Sequence, residues 1–319
     1  MTALDLFTFG ECLLRLSAPE PLRLEQAHAL DVHVAGAESN LAIALARLGK
    51  RTAWFSRLPN TPLGQRALRF IGQHGVDISD VLSVPDERMG LLFLERGTLP
   101  RPTRVWYDRA DSAASKLRPS DLPTARLATA RWLHFTGITP ALSDSCAATC
   151  HAAVTFARQN GLKIAFDVNY RSLLWTPQRA RDALTPFCQA ADLVFIAKRD
   201  AMALFETQGD AAAQAEQLQR LWSGAVIVTD GERGAAACSG DGTVQCEAFA
   251  ARIVDRLGAG DAFAAGVLCR LLEDAPLAQA LTFGAATAAL KLSISGDVAL
   301  IARGEVEALI AGDQSALRR

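Results

Sequence analysis

The sequence lacks the features that mark several large classes of protein. Its formal net charge is −1 and it has no long run of like charges, so it shows no electrostatic footprint for nucleic acid or an anionic membrane. No segment approaches the roughly 20 apolar residues that span a bilayer. The N-terminus has no basic start followed by an apolar stretch, so we expect no secretion signal and predict a cytoplasmic protein.

A disulfide framework and a metal cluster are also missing. The seven cysteines are scattered and odd in number, which predicts free and mostly buried thiols. Cys146, Cys150 and His151 lie close together, yet no second cluster completes a ligand set. We therefore predict that these three residues are core residues on one helix.

Apolar strand-like runs alternate with helix-like segments along most of the chain. This alternation predicts an α/β fold with a central, mostly parallel sheet and helices on both faces, in a single domain over 1–319. Segments 12–35 and 89–108 break the rhythm and predict a small antiparallel sheet that acts as a lid. The predicted strands are 6–9, 52–55, 131–135, 163–166, 191–196 and 225–228, and the predicted helices are 40–48, 62–71, 146–158 and 213–221.

The clearest chemical signal is the segment Gly258-Ala259-Gly260-Asp261, just before a predicted amphipathic helix. Glycines let backbone N–H groups approach a ligand, and a helix start adds unpaired donors and a positive dipole end. This arrangement suits a phosphate chain. Asp261 lies in the first turn, where the dipole favours its ionised form, so it could accept a hydroxyl proton. The alternative is that Asp261 only caps the helix and the glycines only form a turn.

Other phosphate motifs fit less well. A Walker A run ending in Gly-Lys-Ser/Thr is absent, and a dinucleotide fingerprint would need glycine where Phe263 stands. That substitution also opposes a nucleotide-dependent dehydrogenase. A second glycine turn contains Thr229, Gly231 and Gly234 after an apolar strand. It could bring backbone donors to a nucleotide, or it could be an ordinary hairpin turn.

Another glycine turn, Gly36-Ala37-Glu38-Ser39-Asn40, leads into a helix near the N-terminus. Ser39 and Asn40 could simply cap that helix. Alternatively, the turn presents backbone and amide groups to sugar hydroxyls, with Asn40 pointing into a cleft.

Two arginines follow predicted strands at distant places in the chain. Arg109 comes after Tyr107 at the end of a lid strand, and Arg171 follows strand 163–166. Isolated arginines are usually surface charges. If both face one pocket, their guanidinium groups suit a carboxylate, which they can bind through two parallel hydrogen bonds.

These segments resemble the ribokinase-like (PfkB) family of carbohydrate kinases. Residues 255–261 match its Asp-x-x-Gly-Ala-Gly-Asp motif, and residues 36–40 match its Gly-Ala-x-x-Asn motif. Within the family the chain is most similar to 2-keto-3-deoxygluconate kinases, through residues 107–109, 136–142 and 167–175.

The resemblance implies a ribokinase-like fold and phosphorylation of 2-keto-3-deoxygluconate to its 6-phosphate by ATP, bound as Mg-ATP. Fructokinase, ribokinase and 5-dehydro-2-deoxygluconokinase activities are the alternatives, and a catalytically silent sugar-binding protein is opposed by the intact Asp261. A homodimer or larger homo-oligomer formed through the lid is expected. Asp261 is implied as the catalytic base. The residues implied for the sugar acid are Gly36, Ala37, Asn40, Tyr107, Arg109, Arg171, Asp261 and Asp297, and those for the nucleotide are Asn169, Thr229, Gly231, Gly234, Gly258, Ala259 and Gly260.

The chain departs from the family pattern at two places. Ala35 replaces the first glycine of a Gly-Gly pair, and the Asn-x-x-Glu motif linked to magnesium aligns with residues 197–200. Asp200 could replace the glutamate of that motif with a shorter reach. We therefore assign no protein residue as a magnesium ligand from the sequence.

Overall fold

An eight-stranded sheet forms the centre of the protein, whose computed structural model describes residues 3–97 and 100–313. Six neighbouring strands of this sheet run parallel to one another. The two strands at one edge, which are also the last in the chain, pair in an antiparallel manner. In spatial order the strands are β14 (Gly242–Cys246), β13 (Ala235–Ser239), β12 (Ala225–Thr229), β11 (Leu193–Ala197), β10 (Lys163–Asp167), β9 (Ala130–Thr136), β1 (Leu4–Phe9) and β4 (Thr52–Phe55).

Both faces of this sheet are covered, which confirms the predicted layers. On β10, Ile164 and Phe166 belong to one buried cluster, whereas Ala165 between them belongs to another. Because successive side chains of a strand point to opposite faces, the two clusters lie on opposite sides of the sheet. The helices are α1 (Ala37–Arg47), α2 (Pro62–Gly72), α3 (Thr124–Leu127), α4 (Ile138–Leu142), α5 (Asp144–Gln159), α6 (Pro177–Ala190), α7 (Lys198–Phe205), α8 (Ala211–Gln219), α9 (Ala259–Leu271), α10 (Leu277–Leu292) and α11 (Arg303–Ile310).

A second sheet, here called the lid sheet, is present where the sequence predicted one, but its pairing differs from the prediction. Its order is β3 (Asp31–Ala35), β2 (Leu13–Ser17), β7 (Gly90–Glu95) and β8 (Arg104–Asp108). The outer pairs are antiparallel, whereas the central pair of β2 and β7 is parallel. The prediction of an antiparallel sheet was therefore wrong for its centre. The chain between these two strands is long enough for both to enter the sheet in the same direction. A separate parallel pair consists of β5 (Arg57–Pro59) and β6 (Leu82–Val84).

Buried charges fasten the lid sheet to the segment before α9. Arg15 on β2 is fully buried and donates to Asp255 Oδ2 at 2.9 Å, while its second terminal nitrogen lies 2.5 Å from Asp297 Oδ1. Arg96, just after β7, also donates to Asp255 Oδ2, at 2.7 Å. Buried charges need such partners because desolvation of an unpaired ion is costly. The network therefore fixes the lid sheet beside the start of α9.

The cysteines behave as predicted. All seven are free, and all but Cys246 are buried. Cys146 and Cys150 lie on α5 and pack in the core cluster that covers one face of the main sheet. His151 lies on the same helix but is exposed, so the prediction of a core position was wrong for it. Within the described ranges, no group of three or more His, Cys, Asp or Glu residues is placed to hold a metal ion. No described helix combines the length and the apolar character that a membrane crossing requires.

Candidate active site

The start of α9 has a geometry that only glycine permits. Gly258 has φ +79°, and a Cβ atom there would lie 1.7 Å from the carbonyl oxygen of Asp297. Such a separation is far below van der Waals contact, so a side chain would displace the loop. Ala259 and Gly260 follow in the first turn and line a cavity with their neighbours. The expected anion-binding helix start is therefore open to a ligand.

Asp261 faces Asn40 across the gap between two helix starts. The Asn40 side-chain amide donates a hydrogen bond of 2.7 Å to Asp261 Oδ2. Neither side chain caps its own helix, because the N-cap positions are Gly36 and Gly258, with no side-chain cap bond at either one in the described structure. Ser39 instead donates to the Gly36 carbonyl at 3.0 Å. The simple capping interpretation thus fails for both Asn40 and Asp261.

The carboxyl group of Asp261 is held in surroundings that favour its neutral form. Burial raises its pKa, and the hydrogen bond from Asn40 together with the charges of Arg171 and Lys291 opposes that rise. The helix dipole led us to expect a favoured ionised form, and the direction is the reverse because desolvation outweighs the favourable contacts. A raised pKa gives a stronger base, which is useful to a group that accepts a proton near neutral pH.

Three adjoining cavities lie along the carboxyl edge of the main sheet. The lid cavity measures about 450 Å³ and contains Tyr107 and Arg171 in its wall. The Asp261 cavity measures about 360 Å³ and contains Asp261 and Arg171. The alanine cavity measures about 590 Å³. The Asp261 cavity shares Arg171, Arg199 and Asp200 with the lid cavity, and it shares Thr229, Arg256, Gly260 and Phe263 with the alanine cavity.

The two arginines expected to bind one carboxylate are placed differently. Arg171 lines the lid cavity and the Asp261 cavity, beside Tyr107 in the former. Arg109 is buried and forms an ion pair with Glu11, whose other oxygen accepts a 2.5 Å hydrogen bond from Ser112. The guanidinium carbon of Arg109 also lies 5.1 Å from the centre of the Tyr107 ring. Arg109 thus supports Tyr107 and is already neutralised by Glu11.

Acidic groups gather in the wall of the Asp261 cavity. Burial and then the charge of Asp261 raise the pKa of Asp167 to about 8. Burial also raises the pKa of Asp200, whose carboxylate accepts a 3.1 Å hydrogen bond from Arg199. Asn169 has φ +39° and its backbone N–H donates to Asp167 Oδ1 at 3.0 Å, which places Asn169 in the same wall. Several neighbouring carboxylates with raised pKa values favour the approach of a cation.

The glycine turn after β12 serves two purposes. It joins β12 to the antiparallel β13, so it is a hairpin turn, one of the two interpretations left open. It also forms part of the wall of the alanine cavity through Thr229, Gly231 and Gly234. An apolar part of the wall includes Phe249, Ile253, Phe263, Ala285, Ala288, Ala289 and Leu292. This cavity therefore combines a large apolar lining with a few polar groups.

The remaining predicted residues do not line these cavities. Gly36, Ala37, Asn40, Arg109 and Asp297 are not among the described residues that line the three cavities. The position of Gly36 has no room for a side chain, because a Cβ atom there would lie 2.5 Å from the Glu11 carbonyl oxygen. The Asp297 carboxylate is turned toward Arg15, and burial raises its pKa to about 6.

Sequence reasoning missed a buried lysine close to the turn at Gly258. Lys291 on α10 is fully buried, and its ammonium group donates to the carbonyl oxygens of Asp255 at 3.0 Å and Ile294 at 3.4 Å. It therefore ties the segment before Gly258 to the end of α10. The available signal was a single lysine within an otherwise uncharged and mostly apolar helix, since lysine is almost never fully buried without partners.

The fold and the site together define a class. A doubly covered sheet with a lid sheet, and with a glycine-led helix start carrying an aspartate, is the ribokinase-like architecture of sugar kinases. The chain belongs to the PfkB family of carbohydrate kinases, whose family model matches residues 3–301.

Named relatives cover almost the whole chain. A 2-dehydro-3-deoxygalactonokinase of Haloferax volcanii is 42% identical over 320 residues, which is 100% of both proteins. A 2-dehydro-3-deoxygluconokinase of Bacillus subtilis is 33% identical over 92% of this chain and 91% of its own. The crystal structure of a 2-dehydro-3-deoxygluconokinase from Thermotoga maritima superposes with a TM-score of 0.89 at 31% identity, covering 97% of this chain and 100% of that one.

Proposed function

We propose that this sugar kinase transfers the γ-phosphoryl group of ATP to the primary hydroxyl of a 2-keto-3-deoxy sugar acid. The expected substrate is 2-keto-3-deoxygluconate and the expected product is its 6-phosphate. The observation that carries the proposal is the position of Arg171, which lines both the lid cavity and the cavity of Asp261. A guanidinium group in that position can hold the carboxylate of a small molecule while the far end of the same molecule reaches Asp261.

The sugar acid would lie between the lid sheet and Asp261. Arg171 binds its carboxylate, and Tyr107 covers it from the lid side. Asn40 does not line these cavities, but its amide holds Asp261 and its buried Oδ1 atom has no hydrogen-bond partner within the described ranges. Buried polar atoms are usually satisfied, so an unpaired one beside a site is consistent with a ligand contact.

The nucleotide would occupy the alanine cavity. Its base lies against the apolar wall, and its phosphates extend past Thr229 to the backbone N–H groups at Gly258–Gly260. Bound Mg²⁺ would neutralise phosphate charge, and Asp167 and Asp200 in the wall of the Asp261 cavity could hold it. Their raised pKa values fit such a role, because a nearby cation relieves the cost of ionising buried carboxyl groups.

Catalysis then depends mainly on the positions of the two substrates and on stabilisation of the charge of the transferred phosphoryl group. Asp261 accepts the proton of the primary hydroxyl while the oxygen of that hydroxyl attacks the γ-phosphorus. The amides at the start of α9 stabilise the negative charge that spreads over the transferred group. A lid sheet held close to the helix start limits access of water, which would otherwise compete as acceptor.

The galactonate epimer is the second candidate substrate. The relative at 42% identity is named for 2-dehydro-3-deoxygalactonate, which is the same chemical class with the opposite configuration at C4. Arg171 and Asp261 would contact the carboxylate and the primary hydroxyl, which both epimers share. The choice between epimers therefore depends on groups facing the middle of the sugar.

A substrate panel tests the proposal. Purified protein is mixed with Mg-ATP and, separately, with 2-keto-3-deoxygluconate, 2-keto-3-deoxygalactonate, 5-dehydro-2-deoxygluconate, fructose and ribose, and ADP release is measured. We expect one or both 2-keto-3-deoxy acids to give the highest kcat/KM, with phosphorus NMR placing the phosphate on the primary oxygen. A higher kcat/KM for a neutral sugar would reject the acidic substrate, and the ratio for the two epimers decides between the candidates.

A further inference from the structure

Arg256 stands at the junction of two of the cavities. It lines both the alanine cavity and the Asp261 cavity. Among the described residues it is the one charged side chain that belongs to both walls, since its companions there are Thr229, Gly260 and Phe263. A nucleotide whose base fills the alanine cavity must pass its phosphates through this junction to reach Asp261.

The partner of Arg256 holds it only weakly. Its guanidinium lies 3.4 Å from Glu232 Oε1, and the two side chains are 69% and 81% exposed. Exposed ion pairs of this kind contribute little to stability, since both ions are solvated and both side chains lose freedom. Arg256 can therefore leave Glu232 at small cost when a stronger anion enters the junction.

The pair also bridges two elements that form the nucleotide site. Glu232 belongs to the hairpin turn after β12, while Arg256 belongs to the segment that leads to Gly258. Glu232 lines the alanine cavity as well. Its negative charge opposes an incoming polyphosphate, and Arg256 partly cancels that charge before the nucleotide binds.

We propose that Arg256 is a catalytic residue that exchanges Glu232 for the β-phosphate of the nucleotide and stabilises the charge on that leaving group. This inference rests on the proposed use of ATP as donor. In the transfer, the bond from the sugar oxygen to the γ-phosphorus forms. The bond from the γ-phosphorus to the β–γ bridging oxygen breaks, that oxygen keeps the electron pair on ADP, and the hydroxyl proton passes to Asp261. Arg256 donates N–H hydrogen bonds to the departing oxygen and undergoes no covalent change.

Arg256→Ala tests this role by kinetics and by binding. We expect kcat to fall by about 10²-fold or more, because a cation on the transferring phosphates acts mainly in the transition state. Calorimetric titration should show weaker binding of ADP and ATP, with the affinity for AMP unchanged. Arg256→Lys keeps the charge but loses the planar fork, so it should recover part of the lost kcat. Because Arg256 is largely exposed, the thermal midpoint should stay that of the wild type.

An arginine of the same loop serves as the matched control. Arg252 is exposed and is not among the described residues that line either cavity. Arg252→Ala should behave as the wild type in every assay.

The outcomes separate this inference from the proposed function. A kcat for Arg256→Ala equal to that of Arg252→Ala, or unchanged binding of ADP and ATP, would overturn the role of Arg256. A loss confined to ATP would also overturn it, since the contact would then be to the γ-phosphate. A wild-type protein that turns over none of the sugar acids would reject the proposed substrate. The AMP, ADP and ATP titrations would still decide for or against Arg256.

Discussion

The side-chain amide of Asn40 donates a 2.7 Å hydrogen bond to Asp261 Oδ2, joining residues 221 positions apart in the chain. It connects the first turns of α1 and α9, so each helix start fixes the other. The bond also favours the ionised carboxylate and opposes the rise in pKa that burial causes. Asn40 therefore adjusts the proton affinity of Asp261 as well as its position.

Asn40→Ala should move the acidic limb of the pH profile of kcat to higher pH. Without the hydrogen bond, burial raises the pKa of Asp261 further, so a higher pH is needed to produce the ionised base. The measurement is kcat against pH at saturating substrates. Ser39→Ala is the control, since Ser39 lies on the same helix and bonds the Gly36 carbonyl instead. An acidic limb at the same pH in wild type and Asn40→Ala would show that the bond does not tune Asp261.

Substitution of Arg171 should alter substrate binding, whereas substitution of Arg109 should alter stability. Arg171→Ala should raise KM for the sugar acid by about 10- to 100-fold, the usual effect of losing a charge-assisted hydrogen bond. The KM for ATP should change little. Arg109→Ala leaves Glu11 buried without its counter-charge and should lower the free energy of unfolding by about 3 kcal/mol.

Steady-state kinetics and urea unfolding of both variants check this division. An unchanged KM for the acid in Arg171→Ala would remove the carboxylate argument. An Arg109→Ala variant as stable as the wild type but with a raised KM would return Arg109 to direct substrate binding, as the family resemblance implied.

The two glycines of the α9 turn should respond differently to one added methyl group. At Gly258 the backbone is left-handed and the new Cβ would meet the Asp297 carbonyl, so Gly258→Ala should lower the free energy of unfolding by at least about 1–2 kcal/mol. At Gly260 a Cβ would meet no atom of the described structure within 4 Å. Gly260→Ala should keep its thermal midpoint but raise KM for ATP, because the methyl group enters the path of the phosphates. Equal stability losses in the two variants would contradict this account.

The sequence predicted most of the main sheet because local patterns determined it. The β10 run Ile164-Ala165-Phe166 is buried on both faces and is bounded by polar residues, and its prediction was correct to within one residue. The direction of β2 relative to β7 was not predictable in this way. It depends on how the chain returns after α1, α2 and the strands between them, and no pattern within either strand records it.

Ion pairs between residues far apart in the chain were the other feature that the sequence did not predict. Sequence analysis placed Arg109 near the end of a lid strand, but its engagement by Glu11 depends on where β1 ends relative to β8. Likewise, Arg15, Asp255 and Lys291 look like unrelated charges until the lid sheet and α10 bring them together. Asn40 and Asp261 were selected separately, and their hydrogen bond became visible only in three dimensions.

Turnover by Asp261→Asn tests the central claim most directly. This substitution keeps the size of the side chain and removes the base, while the start of α9 and its nucleotide contacts remain. We predict that kcat for the best sugar acid falls by about 10²-fold or more, with the Kd for ATP within about threefold of the wild type. A variant that binds ATP normally and retains near wild-type kcat would contradict the role of Asp261 and the mechanism built on it.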